Sequence, residues 1–151
     1  MKNSSSSLLA LPPLGNDGDI QCMLFHQAVA TRLGLSTNEH RCIIFLLHKP
    51  QTPSSLAKMM GMTTSALTTL VDRLQKSGYV ERKPDATDRR QVFVHATVSC
   101  REAVQVLFRS LSVAHEKLMN QYSPEQRRVI EDFMIHSASI TNAEAERLRP
   151  R

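Results

Sequence analysis

The chain of 151 residues is long enough for one domain, and its 41% hydrophobic content is sufficient for a buried core. Nineteen lysines and arginines outnumber fourteen acidic residues, so the net charge of +5 favours a polyanionic partner such as nucleic acid. The three cysteines are widely spaced without a CxxC pair, which argues against a disulfide framework or a cysteine zinc cluster and fits a reducing cytoplasm.

The first sixteen residues are predicted to form a flexible tail. Pro12 and Pro13 interrupt their only apolar stretch, and no small-residue cleavage pattern of a secretion signal follows. No later apolar run reaches the roughly twenty residues needed to span a bilayer. We therefore predict a cytoplasmic protein with no membrane partner.

Helical signals begin at Asp17. A first helix is predicted within residues 17–35, where Gly34 is placed to end it in a left-handed conformation. Five residues at helical spacing share one face of it: Ile20, Met23, Leu24, Gln27 and Ala28.

Two more helices are marked by their N-terminal residues. Ser36 and Glu39 have the spacing of a capping box, and the helix that follows should run to about His48. Four of its residues are predicted to be buried: Ile43, Ile44, Leu46 and Leu47. Thr52 and Pro53 begin a third helix, because proline at the first helical position loses no hydrogen bond.

The segment from Pro53 to Leu70 has helix-turn-helix spacing. Gly61 can take the positive φ of a tight turn, and Ala57 is small enough to admit the next helix. The shared core is predicted to contain Leu56, Leu67 and Leu70. Thr63 is the predicted N-cap of the second helix, whose exposed side carries Thr64, Ser65, Ala66, Thr68, Thr69 and Arg73. Short hydroxyl side chains there suit phosphate contacts and base reading in the major groove, although an ordinary polar helix face is the alternative.

A β-hairpin with a basic tip is predicted next. Residues 79–83 and 91–98 are expected as strands, and the turn between them ends in Asp88-Arg89-Arg90. A hairpin directly after a recognition helix is a wing, whose arginines can enter the minor groove or pair with phosphates. Asp88 is predicted to hold one guanidinium by a bidentate pair. The alternative is a solvated charged turn.

Four consecutive segments resemble the signature of the MarR (multiple antibiotic resistance regulator) family: Leu56-Ala57, Val71-Asp72-Arg73-Leu74, Ser77-Gly78-Tyr79-Val80-Glu81-Arg82 and Asp88-Arg89-Arg90. The resemblance spans about residues 36–102. It implies a mainly α (α+β) fold, with a winged helix-turn-helix, a two-stranded wing and long N- and C-terminal dimerisation helices. The implied domains are an N-terminal dimerisation helix (17–35), a DNA-binding lobe (36–98) and C-terminal dimerisation helices (99–151).

The resemblance also implies a function. Members are usually homodimeric repressors that bind pseudo-palindromic double-stranded DNA, and many are released by small aromatic or phenolic ligands. By position, Ser54 and Ser55 would touch phosphate, while Arg89 and Arg90 would reach the minor groove or backbone and Asp88 would organise the wing. The residues expected to face the major groove are Thr63, Thr64, Ser65, Ala66, Thr68, Thr69 and Arg73.

The chain departs from the family pattern after the second wing strand. Cys100 stands where the family commonly has a glycine, so Ser99 and Glu102 are expected to cap the next helix instead. That helix carries an apolar stripe made of Val104, Leu107, Phe108, Leu111, Ala114 and Leu118. Ser123, Pro124 and Gln126 begin a last helix with Val129, Ile130, Phe133, Met134 and Ile140. Such stripes fit packing within one chain or between two, and the resemblance favours the second.

No catalytic motif, cofactor site or metal site is predicted, because the glycine loops and the HExxH and GxSxG patterns are missing and the six histidines are scattered. One alternative function is a redox-sensing repressor that uses Cys22, with His26 one turn away. A less favoured alternative is a nucleoid-binding or protein–protein adaptor role.

Overall fold

The structure, a computed structural model, describes residues 17–85, 88 and 90–149, so the predicted tail lies outside the described residues. Six helices and one hairpin are described in chain order: α1 (Asp17–Arg32), α2 (Thr37–His48), α3 (Pro53–Met60), α4 (Thr64–Lys76), β1 (Val80–Pro84), β2 (Val92–Ala96), α5 (Val98–Met119) and α6 (Pro124–Leu148). The mainly α fold with a two-stranded wing is confirmed. The chain divides into two compact units, one ending at Arg101 and the other starting at Glu102.

The predicted starts of α2, α3, α4 and α6 are confirmed by their capping geometry. The Ser36 amide donates to Glu39 Oε2 at 2.8 Å, and the Glu39 amide donates to Ser36 Oγ at 3.3 Å. Thr52 and Thr63 cap α3 and α4 through their hydroxyls, and Ser123 with Gln126 forms a second capping box at α6. Each cap satisfies amides that have no partner inside the helix.

The core of the first unit lies between α2, α3, α4 and the hairpin. It contains Ile43, Leu46, Leu56, Leu67, Leu74, Val80 and Val94, all nearly or fully buried. The prediction for Ile44 and Leu47 was wrong, since both are only half buried. Successive helical residues are about 100° apart, so the five consecutive apolar residues 43–47 cannot all face one core.

The turn between α3 and α4 depends on Gly61, which ends α3 at a φ of 64°. In this left-handed region a side chain would meet the backbone, and glycine is free of that cost. The Met62 amide donates to the Ala57 carbonyl at 2.9 Å, and Ala57 itself is buried. The two helices therefore turn closely enough to share their leucine core.

The hairpin pairs β1 and β2 antiparallel, with Val80 opposite Ala96 and Pro84 opposite Val92. On its other edge β2 meets Gln51, whose backbone exchanges two hydrogen bonds with Val94. The second strand is shorter than predicted, because Val98 already belongs to α5.

Thr97 caps α5, with its hydroxyl accepting from the Cys100 amide at 3.2 Å. The prediction that Ser99 and Glu102 form the cap was therefore wrong. The chain turns into the helix two residues earlier than that pattern required.

The second unit consists of the rest of α5 and α6. Helix α6 has no buried residue, although its apolar positions include Val129, Phe133, Met134, Ile135 and Ile140. In the first unit, α1 likewise exposes Ile20, Met23 and Leu24. No helix in the described part of the chain is both long and apolar enough to cross a membrane.

Candidate nucleic-acid interface

Helix α4 has one buried and one exposed face. Leu67, Leu70, Val71 and Leu74 pack into the core. The opposite face is exposed and carries every predicted major-groove residue: Thr63, Thr64, Ser65, Ala66, Thr68, Thr69 and Arg73. The amphipathic pattern of the sequence thus places these residues together on one accessible surface.

The hydroxyl groups on this face retain capacity to accept hydrogen bonds. Thr68 and Thr69 donate theirs to the carbonyls of Thr64 and Ser65, at 2.9 and 3.2 Å. Each oxygen keeps lone pairs for an outside donor, and each side chain holds a fixed rotamer. The positive end of the helix dipole at Thr63 adds attraction for phosphate.

Arg73 is the basic residue on this face, and it is paired. Its Nε lies 3.4 Å from Oε1 of Glu39, the capping-box residue of α2. Partial burial opposes ionisation of Glu39, but hydrogen bonds from Ser36 and the charge of Arg73 outweigh it and lower the pKa of the carboxyl. Glu39 is therefore an anion that contacts both Ser36, in the capping box of α2, and Arg73, on the exposed face of α4.

Sequence reasoning missed Arg82, which links β1 to α4. Its guanidinium donates to Asp72 Oδ1 and Gln75 Oε1, both at 2.6 Å. Asp72 and Gln75 are three residues apart and are therefore neighbours on one helix face. This spacing was the only sequence signal that one guanidinium could bind both. This fork joins the first strand of the hairpin to α4.

The wing tip is organised by carboxylates. Asp85 accepts from the Asp88 amide at 2.9 Å, and Asp88 accepts from the Arg90 amide at 3.0 Å. Within the described residues, Asp88 thus holds the backbone rather than a guanidinium, so the predicted bidentate pair is not seen there. Arg90 is exposed, and Arg89 lies outside the described residues.

The two serines at the start of α3 differ. Ser54 is exposed, with its hydroxyl 3.2 Å from that of Thr52. Ser55 is half buried and donates its hydroxyl to the side chain of Gln51 at 2.9 Å. The accessible hydroxyl at this helix end is therefore that of Ser54.

A groove of about 650 Å³ lies between α1 and α2. Its lining includes Met23 and Ile44 together with two histidines from different helices. His26 Nδ1 and His40 Nε2 are 3.0 Å apart, a contact between residues that the sequence separates by fourteen positions. His40 is 4% exposed, and its Nδ1 has no hydrogen-bond partner among the described residues. Sequence reasoning missed this pair because no local spacing signals it.

The three cysteines have different surroundings. Cys22 is exposed and lines the same groove. Burial raises the pKa of Cys42 to about 12, and burial also raises the pKa of Cys100 against the opposing charge of Arg101. The two buried thiols therefore resist ionisation. No group of three or more histidine, cysteine or acidic residues with metal-binding geometry occurs in the described part of the chain.

Comparison with known sequences identifies relatives of the chain. A sequence model described as MarR family matches residues 33–91. The uncharacterised HTH-type transcriptional regulator YcgE of Bacillus subtilis is 38% identical over 128 residues, which cover 84% of this chain and 83% of YcgE. The match to YcgE extends well beyond the helix-turn-helix.

Solved structures share the fold. A MepR mutant from a multidrug-resistant S. aureus clinical isolate superposes with a TM-score of 0.67 at 16% identity, covering 82% of this chain and 91% of that one. Another S. aureus MepR mutant, bound to an oligodeoxyribonucleotide, superposes with a TM-score of 0.53 at 17% identity. This match covers 82% of the present chain and 94% of the MepR chain. The winged helix-turn-helix architecture is thus common to all three chains.

Proposed function

Because this chain belongs to the MarR family of DNA-binding transcriptional regulators, we propose that it is a homodimeric repressor that binds a pseudo-palindromic operator and is released by a small aromatic ligand. The observation that carries the proposal is the exposed face of α4, where hydroxyl groups and Arg73 lie on one surface beside a basic wing. The MepR chain of the same fold that is bound to an oligodeoxyribonucleotide supports this role. We propose no catalytic activity, and a cytoplasmic site of action.

In this proposal the α4 face enters the major groove. Seven residues contact base edges and phosphates there: Thr63, Thr64, Ser65, Ala66, Thr68, Thr69 and Arg73. Ser54 contacts phosphate at the start of α3, whereas the Ser55 hydroxyl donates to Gln51 and the Ser55 amide donates to Thr52. Arg90 reaches the minor groove or backbone from the wing, together with Arg89, and Asp88 shapes the turn that presents them.

Dimerisation is proposed from the exposed apolar faces. Helices α1 and α6 leave large hydrophobic side chains in water, which a single soluble chain rarely tolerates in continuous patches. We assign residues 17–35 and 99–151 to the dimer and residues 36–98 to DNA binding. Two-fold symmetry would place the recognition helices about 34–36 Å apart, which matches successive major grooves.

Ligand release is proposed at the groove between α1 and α2. Its mainly apolar lining and volume of about 650 Å³ suit a flat molecule of one or two rings. Because α2 also carries Glu39, which contacts Arg73, a ligand that shifts α2 would disturb the DNA-binding face. An aromatic acid or phenol such as salicylate is the first probe.

The test begins with selection of binding sites from a random duplex DNA library. The selected duplex and a scrambled one are then titrated at several salt concentrations, with Arg90→Ala and, as a matched control, Arg128→Ala on α6. We expect a palindromic site, and a salt slope that falls by about one in Arg90→Ala but not in the control.

Two results would contradict the proposal. Equal affinity for both duplexes would indicate a nucleoid binder, and no DNA affinity would indicate an adaptor. An unchanged slope in Arg90→Ala would remove only the wing assignment.

A redox-sensing repressor is the second candidate function, because Cys22 is exposed and lines the groove with His26. Peroxide would then abolish binding to the selected duplex and a thiol would restore it, while Cys22→Ser would be insensitive. Peroxide resistance of the wild-type complex would exclude this candidate.

A further inference from the structure

We propose that Glu39 is a positioning residue for DNA recognition, whose carboxylate orients the guanidinium of Arg73 toward the DNA. The inference rests on the proposed function, in which the α4 face contacts DNA. It concerns a residue outside the recognition helix and wing that has no predicted DNA contact of its own.

The two oxygens of the Glu39 carboxylate have separate partners. Oε2 accepts from the amide and the hydroxyl of Ser36, at 2.8 and 2.7 Å. Oε1 lies 3.4 Å from Nε of Arg73. The hydrogen bonds from Ser36, at the start of α2, fix the position of the Glu39 carboxylate. The negative charge beside Arg73 is therefore held in one place.

Arg73 is restrained at one end and accessible at the other. The contact uses Nε, and within the described part of the chain it leaves the two terminal NH₂ groups of the planar guanidinium for an outside acceptor. Arg73 follows Thr69 by four residues and Ser65 by eight, which places all three along one face of α4. The orientation of the guanidinium is thus set on the surface that is proposed to meet DNA.

Stability alone does not account for this contact. The side chain of Arg73 is 63% exposed and that of Glu39 is 13% exposed, so water screens the pair. Such pairs contribute little to folding. A long side chain that is ordered before binding, however, loses less conformational entropy when it contacts its target.

The charge of Glu39 by itself predicts the opposite effect. An acidic residue near the DNA repels phosphate, so its neutralisation on electrostatic grounds alone would strengthen binding to any duplex. A positioning role instead predicts that neutralisation of Glu39 weakens discrimination between the library-selected duplex and the scrambled one. The ratio of the two affinities separates the explanations.

Glu39→Gln is the decisive variant. Glutamine at this position still completes a capping box, so α2 keeps its N-terminus while the negative charge that faces Arg73 is lost. Glu116→Gln removes the same charge from an exposed position on α5 that lies outside the apolar stripe proposed for the dimer, and it is the matched control. Thermal unfolding of each variant verifies that the fold is retained.

The measurement is the ratio of affinities for the library-selected and scrambled duplexes at fixed salt. We expect this ratio to fall about two- to tenfold in Glu39→Gln, the range for loss of one pre-ordered side chain, and to stay unchanged in Glu116→Gln. In an Arg73→Ala background, Glu39→Gln should have no further effect, because the residue that it positions is gone.

Other outcomes overturn the inference in distinguishable ways. A ratio unchanged or raised in Glu39→Gln, or equal losses with and without Arg73, would reject the positioning role and leave the proposed function intact. If the wild-type protein selects no sequence from the library, the proposed function fails and this inference fails with it.

Discussion

Arg82 joins two elements of the candidate nucleic-acid interface. Its guanidinium joins Asp72 and Gln75 of α4 to strand β1, and its side chain is mostly shielded from water. Among the described residues, neighbouring Lys83 pairs with Glu81, in a more exposed setting. The two basic residues are consecutive in β1, and their side chains lie on opposite faces of the strand. Lys83 is therefore a suitable control for Arg82.

We expect Arg82→Ala to lower the free energy of unfolding by about 1 kcal/mol, because two charge-assisted hydrogen bonds are lost. Lys83→Ala should cost less than about 0.5 kcal/mol, as exposed pairs do. Urea denaturation at one protein concentration measures both. Equal losses in the two variants would show that the contacts of Arg82 with Asp72 and Gln75 stabilise the fold no more than an exposed ion pair does.

His40 makes folding sensitive to acid. Burial, and then the nearby charge of His26, lower the pKa of His40 below its ordinary value near 6.5. The imidazole contact also requires at least one neutral ring, because two protonated rings have no acceptor. Since the folded state resists a proton that the unfolded chain accepts, this contribution to stability is complete well above pH 6.5 and is lost progressively as the pH falls through 6.5 toward the lower pKa of the folded state.

We therefore expect the free energy of unfolding of the wild-type protein to fall between about pH 7.5 and about pH 5.5, as measured by urea denaturation. His40→Leu, which cannot titrate, should show a smaller fall over the same interval. His115→Asn removes an exposed histidine and should behave like the wild-type protein. A fall of the same size in His40→Leu would assign the acid sensitivity to other groups.

These residue contacts were largely beyond sequence analysis. The pairs His26–His40, Glu39–Arg73 and Arg82–Asp72 join different elements, and no local spacing reveals which side chains meet. The exposed face of α4 was predicted, because helical periodicity alone separates its leucines from its hydroxyl residues. Ser55 was expected to contact phosphate because of its position, yet its hydroxyl donates to the side chain of Gln51. No sequence pattern indicated that role of Gln51.

At the scale of elements, local chemistry predicted the helix starts and helix ends best. Ser36, Thr52, Thr63 and Ser123 all cap the helices that they were expected to cap, since a cap depends on residues three positions apart. The end of β2 depends on Thr97, whose hydroxyl also donates to the Gly78 carbonyl across the hairpin at 2.8 Å. That long-range contact decided the start of α5, and the sequence around Ser99 did not indicate it.

The turn between α3 and α4 offers a test at this scale. Gly61→Ala places a Cβ at a φ of 64°, and we expect it to lower the free energy of unfolding by about 1 kcal/mol. Gly18→Ala adds a methyl group inside α1 with no atom within 4 Å, so it should be neutral or stabilise the protein by up to about 1 kcal/mol. Urea denaturation measures both. Stability losses of similar size would mean that the backbone conformation at Gly61 is not the cause.

For the whole molecule, the sequence predicted the architecture because its signals agree across levels. Capping residues, helical stripes, the hairpin pattern and the basic wing all fit one winged helix-turn-helix. What surrounds the outer helices was not predictable from one chain, because an apolar stripe looks the same whether it packs within a protein or between two copies. Exposure of that stripe along α6 is the structural reason to propose a second copy.

Phe133 provides the test of that pairing, since this residue of α6 is 52% exposed. Burial of one such aromatic side chain on each partner contributes about 1.5–3 kcal/mol, and an aspartate there would place an unpaired charge in the interface. We expect Phe133→Asp to sediment as a monomer at concentrations where the wild-type protein is a dimer, and to lose affinity for the palindromic duplex but not for a half-site. Asn142→Asp adds the same charge to the same helix and should leave the dimer intact. A Phe133→Asp dimer as tight as the wild type would place the interface elsewhere, whereas a monomer that still binds the full palindrome tightly would show that DNA recognition does not require pairing.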